Sequence, residues 1–298
     1  MGNIAAVRAV LILVAAVLTV TPQALAVRTV YVTAATTDGR PLASLNAADL
    51  IVREGDQARQ VVRVEPSRGT LRVAIVVEEI LTPDNDVRRS VANFIDQIRE
   101  TGQLALFTVG RRTEKRVDYS SEILPFANAI NKFPVRAVEP GDLVQSLHEI
   151  ARDQRPLEGR HVIVVVATQT VQLSSATAEG VMEQLRGGRA VLYAATIAGS
   201  ETSAIPPGAT SGGRRLDLEG QVSGLERDKL FGQGTRQTGG LHLSSQRTAG
   251  LWNALERIAG DLHNQYVVSY EGDPRSDGSV TIEAARQGLA VRGPARVR

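Results

Sequence analysis

The run Leu71–Val77, LRVAIVV, restricts the possible folds more than any other stretch of the chain. Apolar, β-branched residues in near-continuous order are what a parallel strand shows when helices bury both its faces. Two further runs follow, His161–Ala167 (HVIVVVA) and Ala190–Ile197, with Gln103–Val109 between the first and second. Helical patterns fill the intervals. Asp86–Glu100 sets Val87, Val91, Phe94, Ile95 and Ile98 on one face, with Asp84 or Asn85 as cap and Gly102 as stop. Ile123–Phe133 and Asp142–Arg152 also read as helices, as does Ala176–Leu185, stopped by Gly187-Gly188. Thr248–Asn264 is amphipathic through Leu251, Leu255, Ile258 and Leu262, and Arg116–Tyr119 reads as an antiparallel edge strand. Repeated βα units of this kind predict an α/β fold in three layers, a mostly parallel sheet with helices on both faces. Ligands in such sheets bind outside the carboxyl ends of the strands, which draws attention to Glu78-Glu79-Ile80-Leu81-Thr82.

The first 26 residues follow a different logic. Arg8 gives a positive start, Ala9–Val20 an apolar core and Ala24-Leu25-Ala26 a small-residue cleavage site after Pro22. That order predicts a signal peptide with a mature start at Val27, and a secreted or periplasmic product that meets the membrane only during export. The apolar run is shorter than the ~20 residues a bilayer span needs. The chain of 298 residues carries a formal net charge of +2 and no cysteine. Disulfides, thiolate metal sites and a thiol nucleophile are thereby excluded. No dense basic block with interleaved aromatics is present, which argues against nucleic acid as a partner.

Segments flanking the α/β pattern are rich in short strands. Residues 27–66 contain Arg28–Ala34, a turn at Asp38-Gly39-Arg40-Pro41, and the strands Leu50–Arg53 and Gln60–Val64 around Glu54-Gly55-Asp56. The α/β unit is predicted over 67–270, interrupted by a Ser/Gly/Pro-rich excursion at 199–224. Gln265–Tyr270 is a strand, and 271–298 finishes with short strands at Ser279–Ala284 and Leu289–Arg292. Pieces this short are not stable alone, so the N- and C-terminal strands are expected to pair into one small β element.

Four stretches carry a family resemblance. Asp38-Gly39-Arg40-Pro41-Leu42 with Leu45-Asn46-Ala47-Ala48-Asp49-Leu50 matches a leading motif, and Thr238-Gly239-Gly240 precedes the last helix. Asp261-Leu262-His263-Asn264-Gln265-Tyr266 matches a closing signature, and the strand-end loop after Val77 lies at the expected place. Together they resemble the von Willebrand factor A (VWA) domain, of the VWFA-related type found in exported bacterial proteins. That resemblance implies a metal-ion-dependent adhesion site built from three loops, with Asp-x-Ser-x-Ser in the first. Here the first loop reads Glu78-x-Ile80-x-Thr82, the second places Gly141 where a Thr belongs, within Glu139-Pro140-Gly141-Asp142-Leu143, and the third places Thr168 where an Asp belongs. Hard divalent cations need an oxygen shell with carboxylate charge, and only Glu78, Thr82 and Thr168 keep oxygen side chains at these positions. The resemblance thus implies a degenerate site, no cofactor, and a binding face comprising Glu78, Glu79, Thr82, Asp84, Gly141, Asp142, Thr168 and Gln169. The alternative is a rebuilt Mg²⁺ site using Glu78, Thr82 and Asp142. The plainest role for Glu78 and Glu79 is to cap the sheet edge and contact the facing helix N-terminus.

Enzyme signatures are missing from the sequence. His148-Glu149 opens like a zinc-protease helix, but Arg152 stands where the second histidine belongs. His161, His242 and His263 are scattered, no Gly-x-Ser-x-Gly elbow exists, and Gly232-Gln233-Gly234 lacks the dinucleotide spacing. Trp252 and Tyr266 read as core or domain-contact residues. The sequence therefore points to a non-catalytic module that recognises an unidentified protein partner.

Overall fold

The computed structural model describes residues 26–40, 42, 44–136, 141–169, 174–198 and 224–296. The stretch before residue 26 read as a signal peptide, Pro41, Glu139-Pro140 and the excursion from residue 199 to 223 lie outside the described residues. In chain order the strands β1 (Ala26–Thr36), β2 (Leu50–Glu54), β3 (Gln57–Arg59) and β4 (Val61–Pro66) precede β5 (Leu71–Glu78) and helix α1 (Asn85–Ile98). Strands β6 (Gly102–Val109) and β7 (Thr113–Ser120) lead to α2 (Leu124–Asn131) and α3 (Leu143–Gln154). Strand β8 (Arg160–Thr168), α4 (Ala178–Gly188) and β9 (Val191–Ile197) come next. Helix α5 spans residues 224–238 with a π-helical turn at Leu230–Gly234, followed by β10 (His242–Ser245) and α6 (Leu251–His263). The chain closes with β11 (Gln265–Gly272), β12 (Thr281–Ala284) and β13 (Leu289–Arg292).

The central sheet has the order β10-β9-β8-β5-β6-β7, with β7 antiparallel and every other neighbour parallel. Alternation along each strand sorts its side chains between two cores. Val73, Ile75 and Val77 face α1 and α6, whereas Ala74 and Val76 face α3 and α4. All nine residues of β8 are buried, as a strand covered on both faces requires. Helix α1 buries Val87, Val91, Phe94, Ile95 and Ile98, the stripe read from its period, and Asp84 caps it by accepting from the Asp86 amide at 2.7 Å. The chain order doubles back between β5 and β8, so their carboxyl ends frame a crevice of the kind that receives ligands in open α/β sheets.

The flanking strands do pair into one small β element, built as two sheets around one core. Antiparallel β13-β1-β11-β4 packs against β12-β2-β3 through Val30, Val32, Val52, Val268 and Tyr270. Glu54, 5% exposed, ties the two together. It accepts from Tyr270 Oη at 3.1 Å and the Asp273 amide at 2.8 Å, and pairs with Arg28 and Arg59. One residue assignment changes. Trp252 is 41% exposed, because it lies one position, about 100° of helix, off the Leu251–Leu255–Ile258–Leu262 stripe. Tyr266, read as a core or domain-contact residue, is buried in the small β core.

Candidate functional site at the strand ends

Glu78, the last residue of β5, ends 1% exposed in the crevice. Its Oε2 accepts from the Thr168 amide at 2.6 Å and from Thr168 Oγ1 at 2.9 Å, across the switch point at the end of β8. Its Oε1 accepts from Arg227 Nη2 at 2.9 Å, and the same nitrogen donates to the Thr168 carbonyl at 2.9 Å. Arg227 is 3% exposed and comes from α5, with its guanidinium carbon 5.9 Å from the Phe231 ring centroid. One buried guanidinium therefore joins three separate elements.

Glu79 builds a second cluster beside the first. Its Oε1 accepts from Thr108 Oγ1 at 2.8 Å and Arg116 Nη2 at 2.6 Å, and Arg116 Nε donates to Thr108 Oγ1 at 2.9 Å. Gly110 makes room for it, since a Cβ there would lie 2.2 Å from Glu79 Oε2. These partners correct the expectation for the two acids. They contact arginines on α5 and β7, not the N-terminus of a facing helix, because a buried carboxylate is stabilised far more by a full cationic partner than by a helix end.

Each remaining candidate has a defined place. Thr82 is fully buried and donates to the Glu79 carbonyl at 2.7 Å and the Pro134 carbonyl at 3.3 Å. Ile80 packs on the apolar core below α1. Asp84 is half-buried at the α1 cap. Gly141 is buried against β6, where a Cβ would lie 1.6 Å from the Gly110 carbonyl oxygen. Asp142 caps α3 and accepts from the Gln145 amide at 2.9 Å, Ser174 Oγ at 2.6 Å and the Ser175 amide at 2.8 Å, so it fastens the loop after β8 to α3. Gln169 is exposed and donates to Ser244 Oγ at 3.0 Å. At that rim His242 Nε2 lies 2.8 Å from Thr196 Oγ1, with burial pushing the imidazole pKa down. Glu78 and Thr168 thus meet at one point, Glu79 and Thr82 sit together in the neighbouring cluster, and Asp84 and Gln169 lie nearer the solvent-facing rim.

Arg227 and Arg116 are the site residues that the sequence reading missed. Two consecutive acids ending a buried strand demand cations, but the separations of 149 and 37 residues give no local cue to which arginines respond.

No family model and no curated protein matches the sequence. Among solved structures the chain is similar to an aerotolerance-related membrane protein from Bacteroides fragilis, at 13% identity over 63% of this chain and 98% of that one, TM-score 0.44. It is similar to the SpRpn10 VWA domain at 12% identity, over 63% of this chain and 95% of that one, TM-score 0.41. It is also similar to proximal thread matrix protein 1 from the mussel byssus, at 13% identity over 69% of this chain, TM-score 0.42. It spans about half of that last protein, 49% of its chain.

Proposed function

We propose that this chain is an exported, non-catalytic, VWA-like module that recognises a protein partner through its strand-end loops and needs no metal to do so. The observation that carries the reading is the Arg227 guanidinium, bound to Glu78 and Thr168 at the point where the VWA resemblance would put a cation. A hard divalent ion does not fit the donor set. Both Glu78 oxygens are occupied, Ile80 is apolar, Thr82 Oγ1 donates to backbone carbonyls, and a side chain at Gly141 would collide with Gly110. The rebuilt set of Glu78, Thr82 and Asp142 fares no better, because the Asp142 carboxylate is already satisfied by α3 and by Ser174 and Ser175. Both carboxylates of the cluster are held by internal arginines and hydroxyls, which favours a fixed recognition surface over a catalytic centre. Asp84 and Gln169 are the described side chains placed to meet a partner.

The test uses the mature chain from Val27. Millimolar Mg²⁺, Mn²⁺ or Ca²⁺ should leave its melting temperature unchanged, whereas a ligand of the folded state adds ~2.7 kcal/mol at a hundred times Kd. Capture of the partner from the native envelope fraction should survive EDTA and be lost in Asp84→Arg and Gln169→Arg. Stabilisation by Mg²⁺ that Glu78→Ala abolishes would overturn the metal-free reading.

A further inference from the structure

A second polar feature lies at the opposite end of the sheet. Arg160, the first residue of β8, is 6% exposed. Eight residues separate it from Thr168, roughly 26 Å at a strand rise of ~3.3 Å. Its Nη1 donates to Ser67 Oγ at 2.8 Å, and Tyr31 of β1 stacks on its face, with 4.7 Å between Cζ and the ring centroid. Its Nε and Nη2, the pair of N–H groups sharing one edge of the guanidinium, have no partner among the described residues. Among the described residues no carboxylate pairs with it, and burial lowers its pKa to about 10, so it remains a cation at neutral pH. A buried guanidinium with one edge unsatisfied is costly, and folded proteins rarely keep one without a counter-ion.

The same residue lines a cavity of about 290 Å³ between the small β element and the α/β core. Val30, Leu185, Val191 and Pro294 give the cavity apolar walls. Arg189 stands at its rim in the left-handed region (φ 52°), a conformation that non-glycine residues seldom adopt, and pairs with no carboxylate among the described residues. Two other rim arginines are engaged, Arg186 with Glu179 and Arg296 with Asp277. Glu183 also reaches the wall.

We propose that this cavity is a binding site for a carboxylate carried on a short apolar body, with the Nε–Nη2 edge of Arg160 gripping the two oxygens. That edge presents two parallel N–H donors in the geometry that a planar two-oxygen group accepts bidentately. The apolar walls suit an aliphatic or aromatic tail, and Arg189 adds positive charge at the entrance. Both donor nitrogens are closed off from bulk water here, so the ligand enters by displacing a lining side chain. This site is separate from the strand-end face and does not depend on its function.

Calorimetric titration of the mature chain with octanoate, against octanol and octylamine as controls, tests the proposal. Saturable one-to-one binding of octanoate, with no binding of the alcohol or the amine, is the expected result. Arg160→Lys should weaken octanoate on the order of tenfold or more, because a single ammonium cannot form the fork. Arg189→Gln, at an exposed position, should weaken it while leaving the melting temperature unchanged. Octanol binding as well as octanoate, absence of saturable heat at millimolar octanoate, or full affinity in a folded Arg160→Lys variant would each overturn the assignment. If Arg160→Lys does not fold, the comparison of octanoate with octanol on the unmodified protein decides.

Discussion

Replacing Arg227 with alanine should cost more stability than any other single truncation at the strand ends. Arg227 and Glu78 are 3% and 1% exposed, so the remaining carboxylate cannot recover its lost partner from water. Breaking a buried pair from one side costs ~3–5 kcal/mol. The Thr168 carbonyl also loses a donor, although the Thr168 amide and hydroxyl still hold one Glu78 oxygen and keep the total inside that range. Against a typical folding stability of ~5–15 kcal/mol this is a large fraction. At ~2–4 °C per kcal/mol for a domain above 150 residues, the melting temperature should fall by roughly 6–20 °C. Urea and thermal melts of the parent, Arg227→Ala, Glu78→Gln and the combined variant complete a double-mutant cycle. The two singles should be strongly non-additive, since each leaves behind what the other removes. Joint replacement by Arg227→Met and Glu78→Leu should return most of the stability, because an apolar pair of similar volume avoids desolvating two charges. An Arg227→Ala variant within about 1 kcal/mol of the parent would refute the claim that this ion pair is what locks the crevice.

Other perturbations have equally definite outcomes. Gly141→Thr, which would restore a hydroxyl to the second loop, should destabilise by ~1–3 kcal/mol or more and gain no cation affinity, because its Cβ meets the Gly110 carbonyl oxygen; a stable variant that binds Mg²⁺ would contradict this. Deleting residues 27–66 strips β11 of both neighbours and β13 of its partner, so the truncated chain should lose cooperative unfolding, and an unchanged melt would be the contrary result. His161 is 2% exposed, and burial holds its pKa below the ordinary 6.5. The unfolded chain therefore binds this proton first as pH falls, so stability is full above 6.5 and is lost as acidification passes below it. Melting temperatures should drop less steeply between about pH 7 and pH 5 in His161→Phe than in the parent; parallel slopes would remove His161 from the account.

What the sequence reveals depends on how locally each feature is encoded. The buried strands β5, β8 and β9 are legible because burial on both faces leaves no polar alternation, and α1 is legible from one stripe and one capping acid. The closing QYVVSY segment reads correctly as a strand, but nothing in its own residues shows that β11 turns away from the parallel sheet to lie between β1 and β4. Trp252 illustrates the limit of residue type alone: large and aromatic, it is exposed by one step of helix phase. The partners of Glu78 and Glu79 are set by tertiary structure, and a carboxylate's need for a cation specifies charge without specifying address. The π-helical turn in α5 is similarly silent in sequence, although it lies directly after the segment that delivers Arg227.

A tethered guanidinium and a bound metal ion have different consequences for recognition. An ion that offers an open coordination position can accept a partner's carboxylate directly, whereas Arg227 is buried, 2.9 Å from Glu78, and presents no free charge to solvent. Under the proposed function, specificity then falls to the rim, where Asp84 and Gln169 favour hydrogen-bond donors or basic groups on the partner over the acidic residue that a cation would grip. It follows that the two roles separate experimentally. Gln169→Arg should abolish capture with little change in melting temperature, since charges near the surface contribute ~0–1 kcal/mol, whereas Asp84→Arg should abolish capture and also cost ~1 kcal/mol, because it removes the α1 cap. Arg227→Ala should do the reverse at low temperature, weakening the fold while leaving the rim chemistry intact wherever the protein remains folded.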